Sequence, residues 1–116
     1  MKVLIIDDKV EIRDLIVQFL GYLGHSAVVA ASGKEGLKLF AENLDIDIVI
    51  TDRQMPGGML GEEVVREIKK ISPQTKVVLM SGDDPEEVFR VAKVAGADII
   101  LLKPFLLEEL AQALSE

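Results

Sequence analysis

The sequence predicts an α/β fold: a doubly wound five-stranded parallel sheet in the order 2-1-3-4-5, with five helices. Three observations carry that reading. Five short apolar runs, rich in Cβ-branched residues, recur along the chain. Between them lie stretches whose apolar residues repeat at helical spacing. Successive runs begin about 20 to 30 residues apart, the spacing of parallel crossover units. Such crossovers are right-handed, so helices cover both faces of the sheet. The alternation uses residues 1–116 as a single domain, with no linker or repeat inside it.

Val3-Leu4-Ile5-Ile6 reads as a strand buried on both faces, and it ends on Asp7-Asp8. Ile12, Leu15, Ile16, Phe19, Leu20 and Leu23 then make one apolar helical face, which Gly24 stops. Residues 27–31 form a short second strand. Ser32, with Glu35 three positions on, predicts a capping box, and Leu37, Phe40, Ala41 and Leu44 the apolar face behind it. Ile46 and Ile48-Val49-Ile50 make a third strand, ending on Thr51-Asp52. A loop over residues 53–61 leads to a helix marked by Val64, Ile68 and Ile71 and closed by Ser72-Pro73. Val77-Val78-Leu79-Met80 is the fourth strand, ending on Ser81-Gly82. Asp84 caps the next helix, with Pro85 at its first position and Val88, Val91, Ala92 and Ala95 inward, and Gly96 ends it. Ile99-Ile100-Leu101-Leu102 is the fifth strand, ending on Lys103-Pro104; Leu107, Leu110, Ala111 and Leu114 line the last helix.

A net charge of −7 argues against nucleic acid as a direct partner. The absence of cysteine removes disulfide and thiolate–metal chemistry. No apolar run reaches membrane-spanning length and no leader pattern opens the sequence, so a soluble, cytoplasmic protein is expected, with no membrane partner. The single histidine, His25, follows Gly24 in what reads as a surface turn.

Every strand but the second ends on a residue that can do chemistry: Asp7 and Asp8, Asp52, Ser81, and Lys103. In a parallel sheet these ends share one edge, and ligands bind where the strand order reverses, between strands one and three. The three aspartates are expected to converge there, with Ser81 and Lys103 on the far side. Two carboxylates about 4 Å apart repel by roughly 4 kcal/mol at an effective dielectric near 20, so such a cluster calls for a cation. Three carboxylates with no histidine or cysteine form a hard oxygen site; Mg²⁺ fits best and Mn²⁺ is the alternative. A lysine and a hydroxyl facing such a metal suggest phosphate chemistry. No Walker pattern or G-x-G-x-x-G cradles a nucleotide, so a phosphoryl group could land on a carboxylate of the site itself.

The segments VLIIDD, DIVITDRQMPGG, VVLMSGDD and GADIILLKPF resemble the response-regulator receiver domains of two-component signalling, across essentially the whole chain. The resemblance implies a flavodoxin/CheY-like fold and a receiver with no output domain attached. It implies that Asp52 takes a phosphoryl group from a histidine kinase or phosphotransfer protein, and that Asp7 and Asp8 bind Mg²⁺ with the backbone carbonyl of Gln54. Ser81 matches the switch hydroxyl and Lys103 the phosphoryl-contacting lysine, whose peptide to Pro104 is usually cis in the family. A downstream protein then reads the switched conformation. Two departures stand out. Ile100 occupies the switch position, three residues before the lysine, where an aromatic is usual; this bears on signal transmission rather than on phosphorylation. The loop after Asp52 carries one extra residue near Gly57 and Gly58.

Plainer readings exist for each residue. Asp7 or Asp8 could cap a helix, Asp52 could be a turn residue before Pro56, Ser81-Gly82 an ordinary loop, and Lys103 a solvated strand end. Their coincidence at one edge favours a site. Met55, Met59 and Met80 read as gap-fillers, Tyr22 as structural, and Phe89 as a surface aromatic off its helix's inner face. Two rival functions are a Mg²⁺-dependent aspartyl-phosphate phosphohydrolase, which usually needs D-x-D and a cap, and a receiver-like docking module without phosphotransfer.

Overall fold

Parallel strands buried on both faces need apolar residues at every position, and the strands of this chain have them. The computed structural model describes residues 1–55 and 57–116; Pro56, and with it the turn reading of Asp52, lies outside the described residues. The elements run β1 (Lys2–Ile6), α1 (Val10–Tyr22), β2 (Ser26–Ala30), α2 (Gly33–Glu42), β3 (Ile48–Asp52), α3 (Gly61–Ile71), β4 (Lys76–Ser81), α4 (Pro85–Ala95), β5 (Ile99–Leu102) and α5 (Leu107–Ser115). The sheet is parallel in the order β2-β1-β3-β4-β5, as expected.

Alternate side chains of each strand divide the core into two layers. Leu4, Ile6, Val49, Val77 and Leu79 pack on one side with Phe40 of α2, Val64 and Ile68 of α3, and Val88 and Ala92 of α4. Val3, Ile5, Ile50, Val78 and Met80 pack on the other with Ile16 and Leu20 of α1 and Leu110 and Leu114 of α5. The first four residues of the opening run, Val3 to Ile6, are fully buried. Each such side chain contributes about 1.5–3 kcal/mol by leaving water, which holds the tip that follows them rigidly in place.

Several helical faces differ from those read in the sequence. On α2 the inward stripe is Gly33, Gly36 and Phe40, while Ala41 and Leu44 are exposed. The cause is close approach. A Cβ on Gly36 would collide with Ile6 Cδ1, so the helix turns its glycines to the sheet and its later residues away. Asn43 ends the helix before Leu44. Ile71, at the last position of α3, and Leu15 are likewise exposed, and Val91 is only half-buried. Tyr22 stands in solvent rather than packing, and Phe89 is exposed as expected. Met55 and Met80 are buried, and Met59 packs against the first layer.

The helix ends follow the expected chemistry with one change. Ser32 Oγ accepts from the Glu35 amide at 3.2 Å, but Glu35 reaches back to the Ala31 amide rather than to that of Ser32. Asp84 accepts from the Glu87 amide with Pro85 at the first helical position. Gly96 closes α4 with φ +93°, a left-handed conformation that needs glycine.

Candidate functional site

The sheet edge at the C-terminal ends of β1, β3, β4 and β5 gathers the predicted residues. Ile6 is in register with Thr51, so Asp7 and Asp52 follow side by side. Ser81 is in register with Leu102, and the Lys103 amide donates to the Ser81 carbonyl at 2.8 Å.

Asp7 is wholly buried, and Asp52 is 4% exposed. Asp7 Oδ1 accepts from the Lys9 amide at 2.9 Å, which shapes the turn into α1. Neither acid caps that helix: the N-cap is Lys9, without a side-chain cap. Asp7 Oδ2 accepts from Lys103 Nζ at 3.0 Å. Asp52 Oδ1 accepts from the Arg53 amide at 3.0 Å and lies 3.2 Å from the same lysine nitrogen. Lys103 is therefore not on the far side of the acids, as expected from strand order, but between two of them. Its long side chain passes the ends of β4 and β3 to reach the end of β1, a distance that strand order alone does not reveal.

One carboxylate oxygen from each of Asp7, Asp8 and Asp52 lies within 4.8 Å of the others. Oxygens around Mg²⁺ at about 2.1 Å are separated by roughly 3–4 Å, so a small side-chain movement closes the set on one ion. Asp8 Oδ1 is buried and, among the described residues, has no hydrogen-bond partner. A buried carboxylate oxygen left unbonded is costly, and a hard cation is the group that fits it. The donor set, oxygen only, suits Mg²⁺ or Mn²⁺.

The electrostatics agree with a deficit of positive charge. Burial raises the Asp52 carboxyl above its ordinary value; Lys103 opposes this and Asp7 adds to it. Burial works against the Lys103 ammonium, but its bonds to Asp7 and Asp52 outweigh that and hold its pKa above the ordinary lysine value.

Ser81 is buried, and its Oγ accepts from the Asp83 amide at 3.0 Å. Gln54 is exposed and donates from its side chain to Asp83 at 3.3 Å. The Lys103–Pro104 peptide is cis, and Gly57 and Gly58 both have positive φ. Ile100 is half-buried and packs against the layer of α2, α3 and α4. One residue escaped sequence reasoning. Arg53, directly after Asp52, is buried and engages Glu62, Asp83 and Glu87. Its position beside Asp52 was a signal, but six acids at 62–63 and 83–87 gave no means of choosing its partners.

The family model of the response regulator receiver domain matches residues 3–115. The chain is a member of the response-regulator receiver family. The receiver superposes on the crystal structure of a response regulator receiver domain protein from Clostridium thermocellum with a TM-score of 0.91 and 37% identity, covering 98% of this chain and 90% of that one. It matches the response regulator TrrA from Thermotoga maritima, solved in complex with Mg²⁺–BeF, with a TM-score of 0.88 and 32% identity, over 98% and 96% of the two chains. Among curated relatives it is 36% identical to a cyclic di-GMP phosphodiesterase of Thermotoga maritima, over 93% of this chain and 28% of that protein. The receiver spans between a tenth and about half the length of the curated relatives it matches. No described helix is long and apolar enough to cross a membrane.

Proposed function

We propose that this receiver is a Mg²⁺-dependent phosphorylation switch, with Asp52 as the acceptor. The observation that supports this most is the meeting of Asp7, Asp8 and Asp52 with Lys103 bonded into the cluster. An Asp52 oxygen attacks the phosphorus of a phosphohistidine on a histidine kinase or phosphotransfer protein. The P–N bond breaks, and the imidazole leaves with the electron pair. Asp7, Asp8, Asp52 and the Gln54 carbonyl would hold the metal; when bound it neutralises the charge that builds on the phosphoryl oxygens.

The chain's own groups do the rest. Lys103 supplies a second positive charge beside Asp52, and the Ser81 hydroxyl donates to a phosphoryl oxygen. Transfer of this kind is mostly positioning and charge neutralisation, so the domain promotes only its own phosphorylation and dephosphorylation and turns over no other substrate. An aspartyl phosphate carries about two negative charges, which draw in Ser81 and bias the loops after β3 and β4 with α4. A cytoplasmic protein partner then reads that surface. A related response regulator, TrrA, was solved in complex with Mg²⁺–BeF, and beryllium fluoride resembles a phosphoryl group in shape and charge.

Labelling with acetyl phosphate or a kinase in Mg²⁺ tests the assignment. A label labile to alkali and hydroxylamine, as an acyl phosphate is, is expected on Asp52 and absent from Asp52→Asn; undiminished labelling of that variant would overturn the assignment.

A further inference from the structure

Arg53 contacts the candidate acceptor, the loop after β4 and the first turns of α3 and α4. Its amide donates to Asp52 Oδ1 at 3.0 Å and to the Met80 carbonyl at 2.9 Å. Its buried guanidinium meets three carboxylates. Nε lies 3.4 Å from Glu62 in the first turn of α3, Nη1 donates to Asp83 Oδ2 at 2.9 Å, and Nη2 donates to Glu87 Oε1 at 3.2 Å on α4. The Asp83 amide donates in turn to Ser81 Oγ. A continuous path therefore runs from the Asp52 carboxylate through Arg53 and Asp83 to the Ser81 hydroxyl, with a branch to α4.

The charge balance makes this path responsive. One cation serves three acids, and among the described residues Glu62 Oε1 accepts no hydrogen bond although it is buried. The guanidinium presents its donors in a rigid planar fork, so it cannot keep all three partners when one of them shifts. A Ser81 hydroxyl drawn toward Asp52 pulls on Asp83, and the guanidinium must follow Asp83 or stay with Glu87. Isoleucine at position 100 offers no aromatic ring to carry that movement outward.

We propose that Arg53 is a positioning residue that holds the Ser81 hydroxyl relative to Asp52 through Asp83, and passes a change at Asp52 to α4 through Glu87. The inference rests on Asp52 being the acceptor. It is tested by amide hydrogen exchange along α4, with and without Mg²⁺ and beryllofluoride, in the native chain, Glu87→Gln and Arg53→Met. Binding of beryllofluoride is followed separately by ¹⁹F NMR. In the native chain, exchange in the first two turns of α4 is expected to change by at least about fivefold, and in both variants by less than about twofold while beryllofluoride still binds. A merely structural role would lower stability without removing this ligand-dependent difference. The full response surviving in Glu87→Gln, a half-buried position where the substitution keeps the side chain's size and should not disturb folding, overturns the proposal whether or not Arg53→Met folds. A native chain that binds no beryllofluoride overturns the acceptor reading, and the inference with it.

Discussion

Lys103 Nζ lies 3.2 Å from Asp52 Oδ1. That contact ties the end of β5 to the end of β3, and a second one at 3.0 Å ties the same nitrogen to Asp7. Part of the repulsion among the aspartates is thus relieved within the chain itself. Three carboxylates against one ammonium still leave two uncompensated negative charges, the charge of one divalent ion.

The first prediction concerns that ion. Mg²⁺ at about a hundred times its Kd should stabilise the fold by about 2.7 kcal/mol. At this chain length that is a rise in Tm of roughly 10 °C. Asp8→Asn should lose most of it, because the buried, unbonded oxygen belongs to Asp8. Thermal melts in EDTA and in Mg²⁺ make the comparison; equal shifts in the two proteins would refute the ligand set.

Asp52 should be a stability liability without metal. Its pKa is raised, chiefly by burial. A raised acid binds more protons in the folded state, so stability falls as pH rises from the ordinary carboxylate value through the raised one. In EDTA at pH 7, Asp52→Asn should therefore be more stable than the native chain, on the order of 1 kcal/mol. The gain should vanish below the ordinary carboxylate value, where Asp52 is neutral in both states. Urea unfolding across that range reads the sign directly.

Lys103→Met should act in the opposite direction. Removing one partner of a buried ion pair costs about 3–5 kcal/mol, and here it strands both Asp7 and Asp52. Mg²⁺ should return part of the loss. In the native chain the Lys103 contribution is fully present below the ordinary lysine value and is lost as pH rises through the raised one. Urea midpoints with and without Mg²⁺ check the first point, and an alkaline titration of stability checks the second.

Two glycines should respond with opposite sign. A Cβ on Gly61 would strike the Asp52 carbonyl and come within 2.7 Å of Arg53 Cα, both of them backbone. Gly61→Ala should cost about 1–3 kcal/mol and disturb the acceptor strand end. Gly21, inside α1, has nothing within 4 Å of its Cβ position, so Gly21→Ala should stabilise by about 0.5–1 kcal/mol. Chemical denaturation of the two variants separates the cases.

Much of this was present in the order of residues. Apolar runs and helical spacing are local patterns, so the ten elements could be named from them. The crossover rule then brought Asp7, Asp8, Asp52, Ser81 and Lys103 to one edge. Tertiary structure alone decided how those groups meet. Lys103 reaches across to Asp7, 96 positions away in the chain, and Arg53 selects Glu62, Asp83 and Glu87 from many acids. Gly36 against Ile6 likewise set the rotation of α2 and left Ala41 in water, while Leu44 fell beyond the helix end. The physical reason is the same in each case. Periodicity records which residues prefer to leave water, whereas ion pairing and close backbone approach depend on ångström distances between remote segments, which exist only once the sheet and its helices have packed.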